Sequence, residues 1–429
     1  MFLILEGIVY TMVVNLYNPF IQLFAKRMGA QNIHIALLNA APPLVAIFIL
    51  IPFGILIERI NRKKRTVLLL LLLNSLFYLA IAFVPSIPHQ AKVMAYVVLI
   101  GLMNWPGALY LTTWQSFFAD HFKGSYANRV YSLRSKYGTF FGMLTVLVTG
   151  LVLTEIPKSD GERLFLYQIF YGVCFVFTLL QLFLFSRVRI GDVRDPGEPQ
   201  TDAGNGSRRT VRFGRADIAE MIANKPFLVF CVCGFLFHLT WQMGWPLYFI
   251  YNADYARLNE FQFSLISVAS CLAQFLSYSV WNRLIEKKGS RLVLVLGVSG
   301  LAVNPLCFVV QWSFPVILLI NVFVGIFVAG FTLTLFCSLL ETLPEGKKTV
   351  YISVFNTLTN ITGFAAPLIG VWMYSYTGIY LGLGLIGVFR VLAASLYAVR
   401  WWRGRGKSAE NRPDGVPGRA GGVENSEAC

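Results

Sequence analysis

Gly54-Ile-Leu-Ile-Glu58-Arg59-Ile60-Asn61-Arg62-Lys63-Lys64 stands between two long apolar runs, and Asn282-Arg283-Leu284-Ile285-Glu286-Lys287-Lys288-Gly289-Ser290-Arg291 stands between two more. In each copy an acid and a base are followed by a spacer, a turn-forming Asn or Gly, and further bases. Glu286 follows Glu58 by 228 residues. A charged turn repeated at that distance, each time wedged between apolar segments, implies a duplicated membrane domain.

Composition sets the class. Apolar residues make up 56% of the 429-residue chain and charged residues only 13%. Many apolar runs reach about 20 residues, the length a helix needs to cross the hydrocarbon of a bilayer. Only helices and closed barrels satisfy every backbone group there, and these runs are continuously apolar rather than alternating, which selects helices. The net charge of +15 does not point to nucleic acid, because the bases sit in short loops between spans, where they set orientation.

Twelve spans follow, at 3–24, 35–57, 66–86, 93–119, 135–156, 164–187, 226–251, 261–284, 291–311, 314–340, 350–375 and 379–401. Loops after even-numbered spans carry most of the bases. Those after odd-numbered spans hold little beyond Lys26, Arg27, Lys92, Lys158, Arg163 and Arg257. The positive-inside rule then places both termini in the cytoplasm of a multi-pass protein of the inner cell membrane. Residues 1–190 form the first six-helix half, 191–225 a cytoplasmic linker poor in apolar residues, 226–402 the second half, and 403–429 a disordered tail rich in Gly, Pro and charge. Apolar spacing from Ile218 to Phe227 predicts a surface helix leading into span 7. No basic stretch or small-residue cleavage site marks a signal peptide around the first span. Six of the seven cysteines fall in spans and show neither disulfide nor zinc spacing, so they read as small buried residues.

The repeat extends past the turn, since Pro19 in span 1 and Pro246 in span 7 are 227 residues apart. Six spans per half start both halves on the same side of the membrane, giving parallel repeats about an axis along the membrane normal, with one cavity between them. The first turn resembles the loop signature between the second and third helices of the major facilitator superfamily, with Glu58 in place of the usual Asp and Asn61 in place of the second Gly. Asn tolerates the left-handed backbone that Gly supplies. The second copy keeps Gly289 and Arg291 and has Asn282 at the first Gly position. The resemblance implies a twelve-helix all-α transporter in which Gly54, Glu58, Arg59 and Arg62, with Glu286, Lys287, Gly289 and Arg291, form a conformational latch at the cytoplasmic ends. Span 4, reading Gly101-Leu-Met-Asn104-Trp105-Pro106-Gly107, lacks the Arg-x-x-Gln-Gly of many proton-coupled members. Span 5 lacks the Gly-Pro motif of drug antiporters, which counts against a drug exporter.

The candidate solute site is built on symmetry. Asn15, Asn18 and Gln22 fall on one face of span 1. His238, Trp241, Gln242 and Trp245 occupy neighbouring turns of span 7, and aligning the two prolines sets Gln242 on Asn15 and Trp245 on Asn18. Trp105 and Gln115 in span 4, Gln274 in span 8, and Asn356 and Asn360 in span 11 extend the polar lining. Amides supply donors and acceptors and tryptophan a flat apolar face, which suits a polar organic solute. Helix-to-helix hydrogen bonding is the competing role for each amide.

Two ionisable groups lie at membrane depth. Glu6 in span 1 is a candidate proton-binding group, or else an interfacial acid or the ion-pair partner of Arg134 or Lys136. Arg390 in span 12 faces an anionic solute or, on an outlying helix, makes a structural contact with a carbonyl or an acid. No nucleophile–base constellation, metal cluster or phosphate-cradling loop appears, so the reading is neither enzyme nor ATP-driven pump and calls for no cofactor. The expected protein is a monomeric transporter in the lipid bilayer, moving a small-molecule solute by facilitated diffusion or with protons. A multidrug exporter and a non-transporting membrane sensor or scaffold are the rival readings.

Overall fold

A computed structural model of the chain describes residues 1–59, 63–121, 124–188, 220–221, 223–343 and 348–410. These are helical, with no strand among them. Crossing helix α1 runs from Phe2 to Arg27, interrupted by a 3-10 turn at Asn18–Phe20. The first half continues with α2 (Asn32–Arg59), α3 (Lys63–Ala82), α4 (His89–His121), α5 (Gly124–Glu155) and α6 (Asp160–Ser186). The second half comprises α7 (Lys225–Ile250), α8 (Glu260–Lys288), α9 (Ser290–Cys307), α10 (Phe314–Leu340) and a final helical stretch, Lys348–Glu410. That stretch is two crossings. Its apolar part spans 50 residues, which as one straight helix would run about 75 Å against roughly 30 Å of hydrocarbon. At Gly378 the backbone turns to φ 73°, ψ 179°, a conformation only glycine adopts freely. We label the two pieces α11 (348–377) and α12 (379–410), which makes twelve.

The expected spans are found, with helices generally longer than the apolar runs because polar ends continue the helix into the interface. The polar stretch before span 5 is helical from Gly124, so the helix starts well before the apolar run. Span 9 is shorter than expected and ends at Cys307, where Pro305 disrupts its last turn. Pro19 and Pro246, equivalent by repeat, act differently. Pro19 tightens α1 into the 3-10 turn, whereas α7 passes through Pro246 and departs from α geometry only at a π turn, Tyr251–Tyr255. Of the surface helix expected from 218 to 227, residues 220, 221 and 223 are helical and Lys225–Phe227 already belong to α7; residues 218, 219 and 222, like most of the linker and the tail from 411, lie outside the described residues. Five cysteines carry free thiols, and Cys271 is exposed rather than buried because it points away from the packed face of α8.

Packing repeats in the two halves. In the first, α1 packs on α5 and α6, and α2 and α3 pack on α4; in the second, α7 packs on α11 and α12, and α8 and α9 pack on α10. Two seams join the halves, α2 against α11 and α5 against α8, and they are repeat equivalents of each other. Neither α1 and α7 nor α4 and α10 form such a seam among the described residues. The centre between those four helices is therefore bordered but not filled by helix-to-helix packing. Twelve crossings bring both ends of the chain to one face of the bundle, called here the terminal end; the opposite face is the far end.

Candidate functional site

The three polar residues of α1 have different neighbours. Gly138 and Gly142 of α5 approach Thr11 and Asn15 so closely that a Cβ at Gly142 would lie 2.7 Å from Asn15 Nδ2. About two turns further on, Gln22 Nε2 donates to Asn39 Oδ1 on α2 at 3.1 Å. The stripe is thus flanked by α5 on one side and α2 on the other, with exposed Asn18 between. Asn15 Nδ2 also donates to the Thr11 carbonyl of its own helix at 2.8 Å.

His238, Gln242, Trp245 and Phe249 form a second stripe along α7. Its direction is fixed by Phe249, which packs into the apolar core of the first half with Phe20 and Leu16 of α1. His238 is buried, its Nδ1 bonded to the Gly234 carbonyl at 2.8 Å. The Trp241 ring meets those of Trp245 (5.6 Å between centroids), His238 (5.8 Å) and Phe331 of α10 (5.2 Å). Trp241 and Trp245 stay half-buried. Gln242 is 7% exposed; its Nε2 reaches the Thr359 carbonyl of α11 at 3.5 Å, and its Oε1 has no partner.

The remaining candidates are more scattered. Trp105 packs in the first-half cluster with Tyr110 and Trp114. Gln115 and Asn356 are exposed, and Gln274 is half-buried on α8. Asn360 Nδ2 is taken up by the Asn356 carbonyl at 2.9 Å, a bond within its own helix. No hydrogen bond between candidates of opposite halves appears among the described residues.

Both ionisable groups at membrane depth are completely withdrawn from solvent. Glu6 Oε1 accepts from Tyr110 Oη at 2.5 Å and Gln181 Nε2 at 2.8 Å, while Oε2 faces Arg134 Nη2 at 3.3 Å. Of the two expected partners, Arg134 is therefore the one engaged, and Lys136 is exposed. The guanidinium of Arg134 lies 4.0 Å over the Trp114 ring. Arg390 donates to carbonyls, not to an acid: Nη2 to Thr240 O (2.9 Å) and Trp241 O (3.1 Å), and Nη1 to Leu301 O (3.2 Å) and Tyr248 Oη (3.2 Å). Leu301 precedes Pro305 by four residues, so its carbonyl has lost its helical donor.

Sequence reading missed the charge cluster at the far end. Arg27, closing α1, donates from Nε and Nη2 to Glu260 Oε1 at 3.0 and 2.8 Å. Glu260 opens α8 and is 1% exposed. Arg163 of α6 approaches the same oxygen at 3.8 Å, and Asp160 pairs with Arg27 and Arg163 at 3.4 Å each. Beside them Lys26 binds Asp254 at 2.8 Å. The sequence nevertheless carries a signal for it. Lys26 and Asp254 are 228 residues apart, the spacing that relates the two charged turns, so the repeat itself sets a base against an acid.

The terminal end is different. Lys64 caps α6 at the Ser186 and Val188 carbonyls, Asn224 reaches Thr342 O, and Arg291 pairs with Glu341 at 3.0 Å. Each of these bonds stays within one half. Of the expected latch, Glu286 and Lys287 are exposed, and Gly289 (φ 79°) forms the turn between α8 and α9. Gly54, Glu58 and Arg59 belong to the last turns of α2, with side chains outside the described set; Arg62 lies outside the described residues.

Comparison with known proteins agrees with this architecture. The sequence pattern described as Major Facilitator Superfamily matches residues 3–232 and again 230–424. No curated protein sequence matches the chain significantly. Among solved structures, the nucleoside transporter NupG superposes with a TM-score of 0.68 at 13% identity, covering 93% of this chain and 98% of that one. A bacterial homologue of the iron transporter ferroportin in an inward-facing state gives 0.65 at 14% identity (93% and 97% covered). A D-xylose–proton symporter gives 0.64 at 12% (92% and 94% covered). At these identities the likeness is one of fold.

Proposed function

The chain belongs to the major facilitator superfamily, and we propose that it is a secondary transporter, moving a small polar or amphipathic organic solute across the cytoplasmic membrane by alternating access. The observation that carries this reading is the asymmetry of the two ends. The halves are tied by ion pairs at the far end, one of them to the buried Glu260, and, among the described residues, by none at the terminal end, while the stripes of α1 and α7 border an unpacked centre. On the distribution of bases the terminal end is cytoplasmic, so this conformation is open to the cytoplasm. The stripe Asn15, Asn18, Gln22 supplies hydrogen bonding and Trp241, Trp245 a flat apolar wall. Gln242 Oε1, buried and unpartnered, gains a donor when solute arrives or the seam rearranges. A group left so in hydrocarbon costs roughly 1–3 kcal/mol.

The test is thermal stability of the purified protein against sugars, nucleosides, amino acids and organic acids. A ligand that binds the native state raises its stability by mass action. Gln242→Ala removes a long contact to Thr359 and some buried volume, so its own unfolding temperature should fall modestly. Its response to the ligand that stabilises the wild type should fall at least tenfold in apparent affinity. An unchanged response removes Gln242 from the site.

We assign proton coupling to Glu6, which is wholly buried among α1, α4, α5 and α6. Glu6→Gln keeps the volume and the bonds to Tyr110 and Gln181 but cannot lose a proton. We expect uptake driven by an imposed proton gradient to be abolished, and exchange of labelled for unlabelled solute to persist. Gradient-driven uptake in the variant would show that the coupling lies elsewhere.

A further inference from the structure

Arg390 contributes a charge that no carboxylate among the described residues pairs with. At the far end three bases, Lys26, Arg27 and Arg163, meet three acids, Asp160, Asp254 and Glu260. In the first half Glu6 is matched by Arg134. In the second half the guanidinium of Arg390, with no exposed surface, touches three carbonyls and a phenol, and no carboxylate among the described residues pairs with it. The membrane interior formed by these residues therefore carries one net positive charge. Carbonyl dipoles solvate that charge without neutralising it, and the low dielectric around it lets its field extend further than in water.

The position of that charge matters more than its presence. Two of the carbonyls belong to Thr240 and Trp241 of α7, immediately before Gln242. Gly244 makes the approach possible, since a Cβ there would stand 2.9 Å from Arg390 Nη2. Arg390 thus lies against the back of α7 at the level where the helix presents Gln242 and Trp245 to the centre. A solute on that stripe is separated from the guanidinium by the width of one helix, about 10 Å.

We propose that Arg390, acting through α7, gives the central site a standing preference for anionic over cationic solutes. This rests on the central-site reading above and narrows it. At about 10 Å and an effective dielectric of about 20, one charge alters the binding of a monovalent ion by roughly tenfold, in opposite senses for the two signs. A neutral solute falls between. The multidrug reading, which calls for lipophilic cations, is disfavoured by the same field.

Three flat probes of nearly equal shape separate the charge effect from the fit: benzoate, benzamide and benzamidinium. Their dissociation constants are measured at pH 7 by saturation-transfer NMR on the full-length protein. In the wild type, binding should weaken in that order by about tenfold per step, and Trp245→Ala should weaken all three. Arg390→Lys should preserve the order and Arg390→Met should flatten it. Tyr248→Glu, which places an acid beside an intact Arg390, should also flatten it, and so covers the case in which Arg390→Met fails to fold. Equal binding of the three probes by the wild type, or an order that survives Tyr248→Glu, overturns the proposal. If the order holds but Trp245→Ala leaves all three affinities unchanged, the selectivity belongs to another site; the proposal for this one is then wrong, and the central-site reading fails with it.

Discussion

Glu260→Ala is expected to open the far end of the protein. In the present conformation Glu260 is the acid on which Arg27 of α1 and Arg163 of α6 converge, and it is 1% exposed. Removing one member of a buried pair costs about 3–5 kcal/mol where the partner's charge is left uncompensated, and here Arg27 and Arg163 retain the exposed Asp160 at 3.4 Å. Arg27 keeps 30% of its side chain exposed, so the lower end of that range applies. About 3 kcal/mol changes the equilibrium between conformers by roughly a hundredfold. Spin labels at Lys158→Cys in the first half and Ser313→Cys in the second, in a background without native cysteines, should report a longer distance in Glu260→Ala than in the parent. The paired reversal Arg27→Glu with Glu260→Arg should recover much of the shorter distance, while Arg27→Glu alone should behave worse than Glu260→Ala because it sets two acids together. A parental distance in all three would mean that the cluster does not hold the halves together.

Gly150→Leu is the second large effect. Gly150 of α5 faces Ser264 of α8 across the seam between halves, only one helical turn from Glu260. A Cβ at this position would meet Ser264 Oγ, would lie 2.6 Å from Ser264 Cβ and would come within 3.0 Å of the Glu260 carbonyl. Main chain cannot step aside as a flexible side chain can, so the helices must part. Overpacking of this kind costs about 1–3 kcal/mol for a methyl group and more for leucine. Gly150→Ala should lower the unfolding temperature moderately, and Gly150→Leu should lower it strongly and abolish transport. The rescue makes the test specific: Ser264→Gly should restore most of the stability of Gly150→Ala and little of that of Gly150→Leu, whose longer side chain still strikes the main chain of α8. Failure of Ser264→Gly to help the alanine variant would place the strain elsewhere.

The two predictions share one geometric cause. Glu260 and Gly150 sit at the same end of the α5–α8 seam, where Thr154 Oγ1 also accepts the backbone N–H of Phe261 at 3.0 Å. Charge holds that end together and small residues let it close. The proposed alternating access would require both to be reversible. The cluster is accordingly built of ion pairs, partly hydrated at Lys26 and Asp254, rather than of a continuous apolar core.

Sequence alone determined the class, the twelve crossings, the duplication and the family. Each of those depends on local pattern: a helix in lipid must bond its own backbone, so apolar length counts the spans, and the repeated turn around Glu58 and Glu286 reveals the copy. Helical periodicity is local too, and it proposes Asn15, Asn18 and Gln22 as one face, although a 3-10 turn at Asn18–Phe20 interrupts that periodicity. Tertiary structure decided which of Arg134 and Lys136 meets Glu6, that Arg390 is held by carbonyls of α7 and α9 rather than by an acid, and that Arg27 meets Glu260 across 233 residues. Those contacts depend on how two halves are rotated against each other. Hydropathy is blind to that rotation, because lipid-facing and partner-facing surfaces of a membrane helix are equally apolar, and only small residues and buried charges distinguish the seams.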